Sequence, residues 1–348
     1  MRIQEQPEKE LHCLETNPSG SVLPLYQPFT NPTEESNWTK PERFPDFFLI
    51  GAPRCGTTSL SHYLASNPQV CFSRPKEPHY FSLLSPHAAL DDLDTAYLAR
   101  YFSHYRDEHQ AIGEGSVSYL SSPYALQRIL SVNPHAKFIA LVRNPLDMLP
   151  SYHLRMLFIV MEEVEDFATS WHLQEVRARG ERIPKHCLNP YLLLYREVAK
   201  FGEQVERLYR LAGRDRSLVL LLDDLARAPS AVYKQVLEFI GVKYDGRTRF
   251  KRKLQSKIYR YRWLQQALYA PLVKKTHFVD TLHRRMKQQK ASGRKSWLKR
   301  LARWNTIDAH PAPLDPIMRR TLRDAFATDV DKLSTLLHRD LSHWLEIA

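Results

Sequence analysis

From residue 46 onward, short apolar runs alternate with stretches in which apolar positions recur at helical spacing. The runs that predict strands lie at 47–51, 69–72, 111–113, 137–142 and 217–222. The stretches that predict helices lie near 57–66, 92–105, 123–132, 145–160 and 190–211. Strands that alternate with helices favour parallel pairing, and the helices then cover both faces of the sheet. The pattern therefore predicts an α/β fold, a parallel β-sheet flanked by helices, with ligands bound beyond the carboxyl ends of its strands.

The two ends of the chain differ from this central part. Residues 1–45 hold seven prolines among scattered polar residues and no sustained period, which predicts an extended N-terminal arm. We expect 46–348 to form a single domain, in which 46–250 is the α/β core and 251–348 is a basic loop followed by helices. The helical period of the last part of the chain predicts that it docks on the core.

Cysteine spacing and the length of apolar segments bear on the compartment. The four cysteines, Cys13, Cys55, Cys71 and Cys187, are widely separated, with no spacing typical of a zinc site and no dense disulfide pattern. No window approaches the roughly 18 apolar residues of a membrane helix. We therefore expect free thiols, no metal site, and a soluble, cytoplasmic chain.

The net charge of +12 is concentrated in one region. Between Asp245 and Trp304 there are 19 Lys/Arg and 2 Asp, a net of +17, so the rest of the chain, with 31 Lys/Arg and 36 Asp/Glu, carries a net of −5. Such a block predicts a surface for an acidic partner. A solvated face of amphipathic helices without a partner is the alternative.

The loop after the first strand carries the residue types of an anion site. It reads Gly51-Ala52-Pro53-Arg54-Cys55-Gly56-Thr57-Thr58-Ser59. Glycine lets the backbone approach a ligand closely, and the first turn of the next helix offers unpaired N–H groups and the positive end of its dipole. Arg54 adds a permanent cation. A phosphate or sulfate oxygen is the expected ligand, and a capped helix without a ligand is the structural alternative.

The spacing of this loop separates it from the nucleotide triphosphatases. Those enzymes need Gly, four residues, then Gly-Lys-Ser/Thr, whereas here Gly56 is followed by two threonines and the cation lies two residues earlier. Magnesium-assisted γ-phosphate chemistry is therefore disfavoured. The segment from Pro53 to Leu60 resembles instead the 5′-phosphosulfate loop of sulfotransferases that use 3′-phosphoadenosine 5′-phosphosulfate (PAPS). The residues that this resemblance assigns to binding the cosubstrate are Arg54, Cys55, Gly56, Thr57, Thr58 and Ser59.

A second loop, Lys76-Glu77-Pro78-His79-Tyr80-Phe81, brings a cation, a carboxylate and an imidazole close together. This group is typical of a catalytic loop, although a surface loop with an incidental salt bridge is the alternative. It resembles the Lys-Glu-x-His-Phe/Tyr-Phe segment of carbohydrate sulfotransferases, including those acting on heparan sulfate. The resemblance implies that Glu77 is the general base and that Lys76 contacts the acceptor or the sulfonate. His79 is the rival base, because an imidazole titrates nearer neutrality.

Glu114, at the end of the third predicted strand, looks like part of the next family segment, which lines the acceptor cleft. The match is partial. Heparan-type enzymes carry Lys after this glutamate and Pro two residues further, whereas this chain has Gly115 and Val117. A structural role for Glu114, as a helix cap or as the partner of a loop arginine, is the alternative.

The fourth predicted strand and the helix after it form a second anion-binding pattern. The strand delivers Arg143 at its carboxyl end, Pro145 starts a helix, and Ser151 lies almost two turns into that helix on the same side. An arginine fork and a hydroxyl at this separation can grip one phosphate. The arrangement is similar to the 3′-phosphate segment of the sulfotransferases. Arg260 and Arg262 fall where that family has a basic loop that closes over the cosubstrate.

Together the motifs identify the chain as a member of the PAPS-dependent sulfotransferase family. The resemblance implies that Glu77 takes a proton from a hydroxyl or amine of the acceptor, a small molecule or an anionic glycan, and that the acceptor attacks sulfur. Adenosine 3′,5′-bisphosphate then departs, and no metal is required. Many relatives have lysine at the Arg54 position; since an arginine cannot give up a proton, we expect Arg54 to be an electrostatic stabiliser and not an acid.

Two other functional classes stay open from the sequence. One is a nucleotide kinase or phosphotransferase, and the other is a non-catalytic relative that binds anionic glycans or lipids. The basic block favours an anionic sugar polymer as the acceptor, and peripheral contact with an anionic membrane surface is a further expectation. Nucleic acid is disfavoured, because no nucleic-acid fold signature accompanies the block.

Overall fold

The computed structural model describes residues 44–83, 93–187, 189–251, 256–274 and 297–346. All but the last two residues of the predicted N-terminal arm, 1–45, lie outside the described residues. So do two parts of the basic region, 252–255 and 275–296. The proposed division into an arm, a core and a basic C-terminal region stays a prediction.

Five parallel strands form the central sheet, as the alternating pattern predicts. They are β1 (Phe47–Gly51), β2 (Val70–Phe72), β3 (Ala111–Gly115), β4 (Lys137–Val142) and β5 (Ser217–Leu221). Their order across the sheet is β2-β3-β1-β4-β5, so β1 pairs with both β3 and β4 at the centre. Every residue of β1 is buried, which is what helices on both faces of a sheet produce. The predicted fold class is confirmed.

Helices fill the connections and extend beyond the sheet. They are α1 (Thr57–Ala65), α2 (Tyr80–Leu83), α3 (Leu93–Phe102), α4 (Ala125–Val132), α5 (Pro145–Phe158), α6 (Phe167–His172), α7 (Gln174–Ala178), α8 (Tyr195–Ala199), α9 (Phe201–Ala212), α10 (Leu222–Arg227), α11 (Pro229–Ile240), α12 (Arg262–Lys274), α13 (Trp297–Asn305) and α14 (Pro316–Leu337). Two 3₁₀ turns lie at Pro190–Leu193 and Ser342–Leu345. Within the part of the chain described here, no helix combines the length and the apolar character that crossing a bilayer requires.

The helix predicted over 190–211 is wrong in its continuity. The segment is a 3₁₀ turn followed by α8 and α9, which are separated at Lys200. The backbone N–H groups of Gly202 and Glu203 at the start of α9 donate to the carboxylate of Asp329, at 2.8 and 2.9 Å. A carboxylate from α14 therefore stabilises a new helix start.

The C-terminal helix completes the core. Its buried residues, among them Leu322 and Phe326, join the same hydrophobic cluster as the strands of the sheet. Trp344, beyond its end, is also fully buried, and its backbone carbonyl accepts a hydrogen bond from the side chain of Asn144 at 3.0 Å. The predicted docking of the tail on the core is confirmed.

A second, two-stranded sheet lies next to α5 and was not predicted. Strands β6 (Ser256–Tyr259) and β7 (Thr306–Ala309) pair antiparallel, with Ser256 opposite Ala309. The side chain of Gln265 in α12 donates to the carbonyl of Phe158 at 2.6 Å and accepts from Asn305 at 3.1 Å, which ties this unit to the end of α5. The unit brings part of the basic region to the carboxyl edge of the central sheet.

Candidate active site

The loop between β1 and α1 is a tight turn that only glycine accommodates at its end. Gly56, the N-cap of α1, has φ 90°, in the left-handed region. A Cβ at this position would lie 2.8 Å from a side-chain carbon of Leu222, so α10 closes one side of the loop. Arg54 also has a positive φ, 61°, which is uncommon outside glycine. The loop thus directs the first turn of α1 towards the carboxyl edge of the sheet, as an anion site requires.

Arg54 connects three segments of the chain. Its Nε donates to Ser151 Oγ in α5 at 2.8 Å, and its terminal nitrogen donates to Ser256 Oγ in β6 at 2.6 Å. The two serine hydroxyls are 3.2 Å apart. Burial lowers the pKa of Arg54 below its usual value, and the positive charges of Arg155 and Arg143 lower it further. Because an arginine stays protonated in proteins, these positive charges repel one another, and an anion among them would relieve the repulsion.

Positive charge surrounds a small cavity next to Arg54. The cavity has a volume of about 50 Å³ and is lined by Arg54, Ser151, Arg155, Phe158, Ser256 and Lys257. Arg143 lies half-buried at the end of β4 and, within the described residues, makes no hydrogen bond or ion pair. Its guanidinium is thus available to a ligand. The observed Arg54–Ser151 hydrogen bond differs from the expected pairing of Ser151 with Arg143, and Arg143 approaches the cluster through charge alone.

In the β1–α1 loop and the first turn of α1, the side chains of Cys55, Thr57 and Ser59 are buried. Cys55 is fully buried, and its thiol donates to the carbonyl of Pro53 at 3.3 Å. Burial raises the pKa of this thiol to about 12, so it is neither a nucleophile nor an anion partner. Thr57 and Ser59 are buried as well, whereas Thr58 is exposed. The side chain of Thr58 is thus the one that this turn presents to a ligand, while Cys55, Thr57 and Ser59 are buried.

The loop of Lys76, Glu77 and His79, which the sequence predicts to be the catalytic loop, lies beside the β1–α1 loop. Lys76 Nζ donates to Thr58 Oγ1 at 3.4 Å and to Glu77 Oε1 at 2.7 Å. His79 Nε2 is 3.8 Å from Glu77 Oε2. The side chains of all three loop residues are partly exposed, between 24% and 31%. A carboxylate, an imidazole and an ammonium group are therefore accessible to a substrate within reach of the helix N-terminus.

Glu77 is ionised in this environment. Burial raises the pKa of its carboxyl group, but the nearby imidazole of His79 and the charge of Lys76 outweigh burial and hold the pKa well below its usual value. The carboxylate is thus unprotonated at neutral pH, as a general base must be, and Lys76 Nζ donates to it at 2.7 Å.

The end of β3 holds this loop in an unusual backbone conformation. Glu77 and His79 have φ values of 63° and 54°, in the left-handed region. The N–H of Glu77 donates to the carbonyl of Gly115 at 2.9 Å, and the N–H of His79 donates to Ser116 Oγ at 2.9 Å. His79 Nδ1 lies 2.7 Å from Ser118 Oγ, which orients the imidazole. Strained backbone that the surroundings hold in place is common at functional sites.

The expectation that Glu114 contacts the acceptor is wrong for this structure, because Glu114 is fully buried. Its carboxylate accepts hydrogen bonds from three hydroxyls, those of Tyr97 at 2.5 Å, Ser116 at 2.6 Å and Tyr119 at 3.1 Å. Burial raises the pKa of Glu114 above its usual value. Ser116 Oγ also accepts a hydrogen bond from the backbone N–H of His79, so Glu114 is linked to the Glu77 loop through Ser116.

Arg260 and Arg262 do not line the cavity next to Arg54. Arg260 is exposed, and its guanidinium lies over the ring of Trp304 at 5.9 Å from the ring centre. Arg262 forms an ion pair with Glu165 at 3.7 Å. The basic segment instead contributes Ser256 and Lys257, because β6 and not the following turn packs on α5.

Sequence reasoning missed four residues of the site. They are Ser118, Arg155, Ser256 and Lys257. Arg155 follows Ser151 by four positions on α5, so it shares one helix face with Ser151, and that spacing was a usable signal. Ser256 had no local signal, because its place depends on pairing with a strand 50 residues later.

Comparison with known proteins identifies the family. The model of the sulfotransferase domain family matches residues 44–301, most of the chain. The chain belongs to this family. The family predicted from the motifs is therefore confirmed.

Individual relatives of this sulfotransferase are distant. A solved sulfotransferase from Alicyclobacillus acidocaldarius is 27% identical, with a TM-score of 0.58, over 87% of this chain and 99% of that chain. Human bifunctional heparan sulfate N-deacetylase/N-sulfotransferase 3 is 24% identical over 63% of this chain and 25% of its own length. Membrane-associated sulfotransferase kil1 from Dictyostelium discoideum is 29% identical over 33% of this chain and 24% of its own length. The alignments thus span about a quarter of the length of these curated relatives.

Proposed function

We propose that this sulfotransferase moves the sulfonate group of PAPS to a hydroxyl or amine of a carbohydrate acceptor. The observation that carries the proposal is the contact of Arg54 with Ser151 and Ser256. Through it the β1–α1 loop, α5 and β6 converge on one cationic cavity, with the Glu77 loop alongside. Two anion-binding patterns that are far apart in the sequence meet at one place.

The charges around the cavity fit a ligand with two phosphate groups. Arg54 and the N-terminus of α1 would bind the 5′-phosphosulfate, because unpaired N–H groups and a guanidinium both stabilise phosphate oxygens. Arg143 and Arg155 would bind the 3′-phosphate of the nucleotide. The hydrogen bonds that Arg54 makes to the two serines are the ones a phosphate oxygen would replace or share.

In the proposed reaction, the acceptor hydroxyl or amine gives its proton to the Glu77 carboxylate as its oxygen or nitrogen attacks sulfur. The bond from sulfur to the bridging phosphate oxygen breaks, and adenosine 3′,5′-bisphosphate carries away the electron pair. Arg54 and the backbone N–H groups of Gly56 and Thr57 would stabilise the charge that develops on the leaving phosphate oxygen. Lys76 lies between Thr58 and Glu77, where it can contact the transferred sulfonate.

The carbohydrate acceptor rests on the catalytic loop and on the relatives. The Lys76-to-Phe81 segment is of the carbohydrate sulfotransferase type, and the relatives include a mouse protein named carbohydrate sulfotransferase 15, which is 28% identical over 150 residues. The excess of positive charge between Asp245 and Trp304 favours an anionic sugar over a neutral one.

Transfer of labelled sulfonate from PAPS to a panel of acceptors tests this function. We expect transfer to anionic glycans, and weaker or no transfer to neutral sugars and phenols. Labelled product on phenols alone would leave the sulfotransferase activity in place but refute the carbohydrate acceptor. If adenosine 3′,5′-bisphosphate is released with none of the acceptors in the panel, the proposal is contradicted.

A further inference from the structure

Exposed aromatic side chains are concentrated on the small unit formed by β6, α12, α13 and β7. Among the described residues, eight large apolar side chains stand exposed, and five of them belong to this unit. The five are Tyr261, Trp263, Trp297, Trp304 and Ile307. An accumulation of exposed aromatic surface in one place is unusual for a soluble domain and marks an interaction site.

Three of these rings form one surface with arginines. On α13, Trp297, Arg300 and Trp304 follow at intervals of three and four residues and so share a helix face. Trp304 stacks on Tyr261, with ring centres 5.6 Å apart and planes at 22°. We call Arg260, Tyr261, Trp297, Arg300, Arg303 and Trp304 the aromatic patch.

Hydrogen bonds anchor the Arg260–Tyr261 part of the aromatic patch to the end of α13. The backbone N–H of Tyr261 donates to Asn305 Oδ1 at 2.9 Å, and the N–H of Arg260 donates to the carbonyl of Asn305 at 2.7 Å. Asn305 is fully buried and is bonded to Gln265, which in turn is bonded to Phe158 of α5. The exposed ring pair of Tyr261 and Trp304 is therefore anchored to α5 through Asn305 and Gln265.

The charge of the unit has one sign. Residues 256–274 and 297–309 contain seven Lys/Arg and one acidic residue, Asp308. Asp308 lies opposite Lys257 in the strand register, and Glu165, from outside the unit, pairs with Arg262. Within the described residues, neither carboxylate forms an ion pair with Arg260, Arg300 or Arg303, so the aromatic patch combines exposed rings with positive charge.

We propose that the aromatic patch docks on the surface of an anionic lipid bilayer. Tryptophan and tyrosine rings favour the headgroup level of a membrane, where one side of the ring is apolar and the other is wet, and arginines attract anionic headgroups. A soluble polyanion would use the arginines but would gain less from the rings of Trp297 and Trp304, which are 70% and 52% exposed on the face of α13. The proposal does not depend on the proposed function, since binding is measured without turnover.

Docking would also set the position of the active site. Ser256, at the start of β6, contacts Arg54 of the cationic cavity. A bilayer bound to the aromatic patch would therefore contact the same small unit that contributes Ser256 to the cationic cavity.

Co-sedimentation of the full chain with vesicles tests the proposal. We expect binding to vesicles of phosphatidylcholine with phosphatidylserine, little binding to phosphatidylcholine alone, and weaker binding when salt shortens the Debye length from about 10 Å at 0.1 M to about 3 Å at 1 M. Trp297→Ala with Trp304→Ala should abolish binding, whereas the same positions as Phe should retain most of it. Arg300→Gln with Arg303→Gln should weaken binding about thirtyfold, at about 1 kcal/mol for each arginine.

Ile317→Ala is the matched control, because Ile317 is an exposed apolar residue, 76% accessible, outside the aromatic patch. It should bind as the unsubstituted chain does, and circular dichroism checks the fold of every variant. If the tryptophan pair fails to fold, the arginine pair, whose side chains are exposed, decides the outcome. No binding to anionic vesicles, or unchanged binding by both pairs, would overturn the proposal. Binding of heparin but not of vesicles, lost in the same variants, would overturn it in favour of a glycan surface.

Discussion

Replacement of Glu77 by glutamine removes the proposed base with the least structural change. The amide keeps the size of the carboxylate and can still accept a hydrogen bond from Lys76, which lies 2.7 Å from Oε1. It cannot take a proton from the acceptor. The contacts of Glu77 are with Lys76 and His79 and not with Arg54, so the cationic cavity should be unaffected.

The size of the effect follows from the role of a general base. Positioned bases contribute about 10²- to 10⁴-fold to a rate, which corresponds to roughly 2.7 to 5.4 kcal/mol of transition-state stabilisation at 1.36 kcal/mol for each factor of ten. Because Lys76 and His79 hold the pKa of Glu77 well below its usual value, the carboxylate of the native enzyme stays ionised throughout the neutral range. Activity that depends on it should fall only below about pH 4.3, the ordinary value for a glutamate.

Initial rates of sulfonate transfer over a range of pH measure this effect, and titration with adenosine 3′,5′-bisphosphate measures cosubstrate affinity separately. We expect Glu77→Gln to lose 10²- to 10⁴-fold in kcat with an unchanged affinity for the bisphosphate. Glu238→Gln, at an exposed position on α11, is the control. An unchanged kcat in Glu77→Gln would refute the reasoning and point to the rival base, His79.

Three further substitutions test the structure around the site. Arg143→Ala should weaken bisphosphate binding by about 1.5 to 3 kcal/mol, the range for hydrogen bonds to charged groups, and the exposed Arg210→Ala should not; equal affinities in calorimetry would remove Arg143 from the site. Gly56→Ala should lower the free energy of unfolding in urea by roughly 1 to 3 kcal/mol, because φ is 90° and the added Cβ would lie 2.8 Å from a side-chain carbon of Leu222 in α10. Wild-type stability of this variant would show that the loop is not constrained. Arg177→Met should lower the free energy of unfolding by about 3 to 5 kcal/mol in the same assay, because it removes the cation that binds the buried Glu162 carboxylate at 2.7 and 2.8 Å. If Arg177→Met loses less stability than the double variant Arg177→Met with Glu162→Gln, this reasoning is wrong.

Local sequence determined the strands and the two anion-binding segments. β1 and β4 begin and end where the apolar runs predicted, because each run is long and a glycine or a charged residue ends it. The same holds for the start of α5, where Asn144 accepts a hydrogen bond from the N–H of Leu146 and Pro145 occupies the first turn. In these segments the signal and the structure lie within a few residues of each other.

Long-range contacts determined what the sequence did not reveal. The break at Lys200 depends on a cap from Asp329, 127 residues away from Gly202. Arg260 and Arg262 have the composition of a phosphate-binding loop, but the pairing of β6 with β7 turns them to the surface and brings Ser256 inward. The family motif predicted that Glu114 lines the acceptor cleft. In the structure its carboxylate is instead bound by three hydroxyls, one from α3 and two from the residues after β3.

Ligand discrimination by thermal shift tests the central claim most directly, since it asks whether the protein binds the product of the proposed reaction. Adenosine 3′,5′-bisphosphate, ADP and ATP are compared, each with and without magnesium. We expect a shift that is selective for the bisphosphate and independent of the metal, equivalent to about 2.7 kcal/mol at a concentration of 100 times the dissociation constant. A larger shift with ATP and magnesium would contradict the account and favour a kinase.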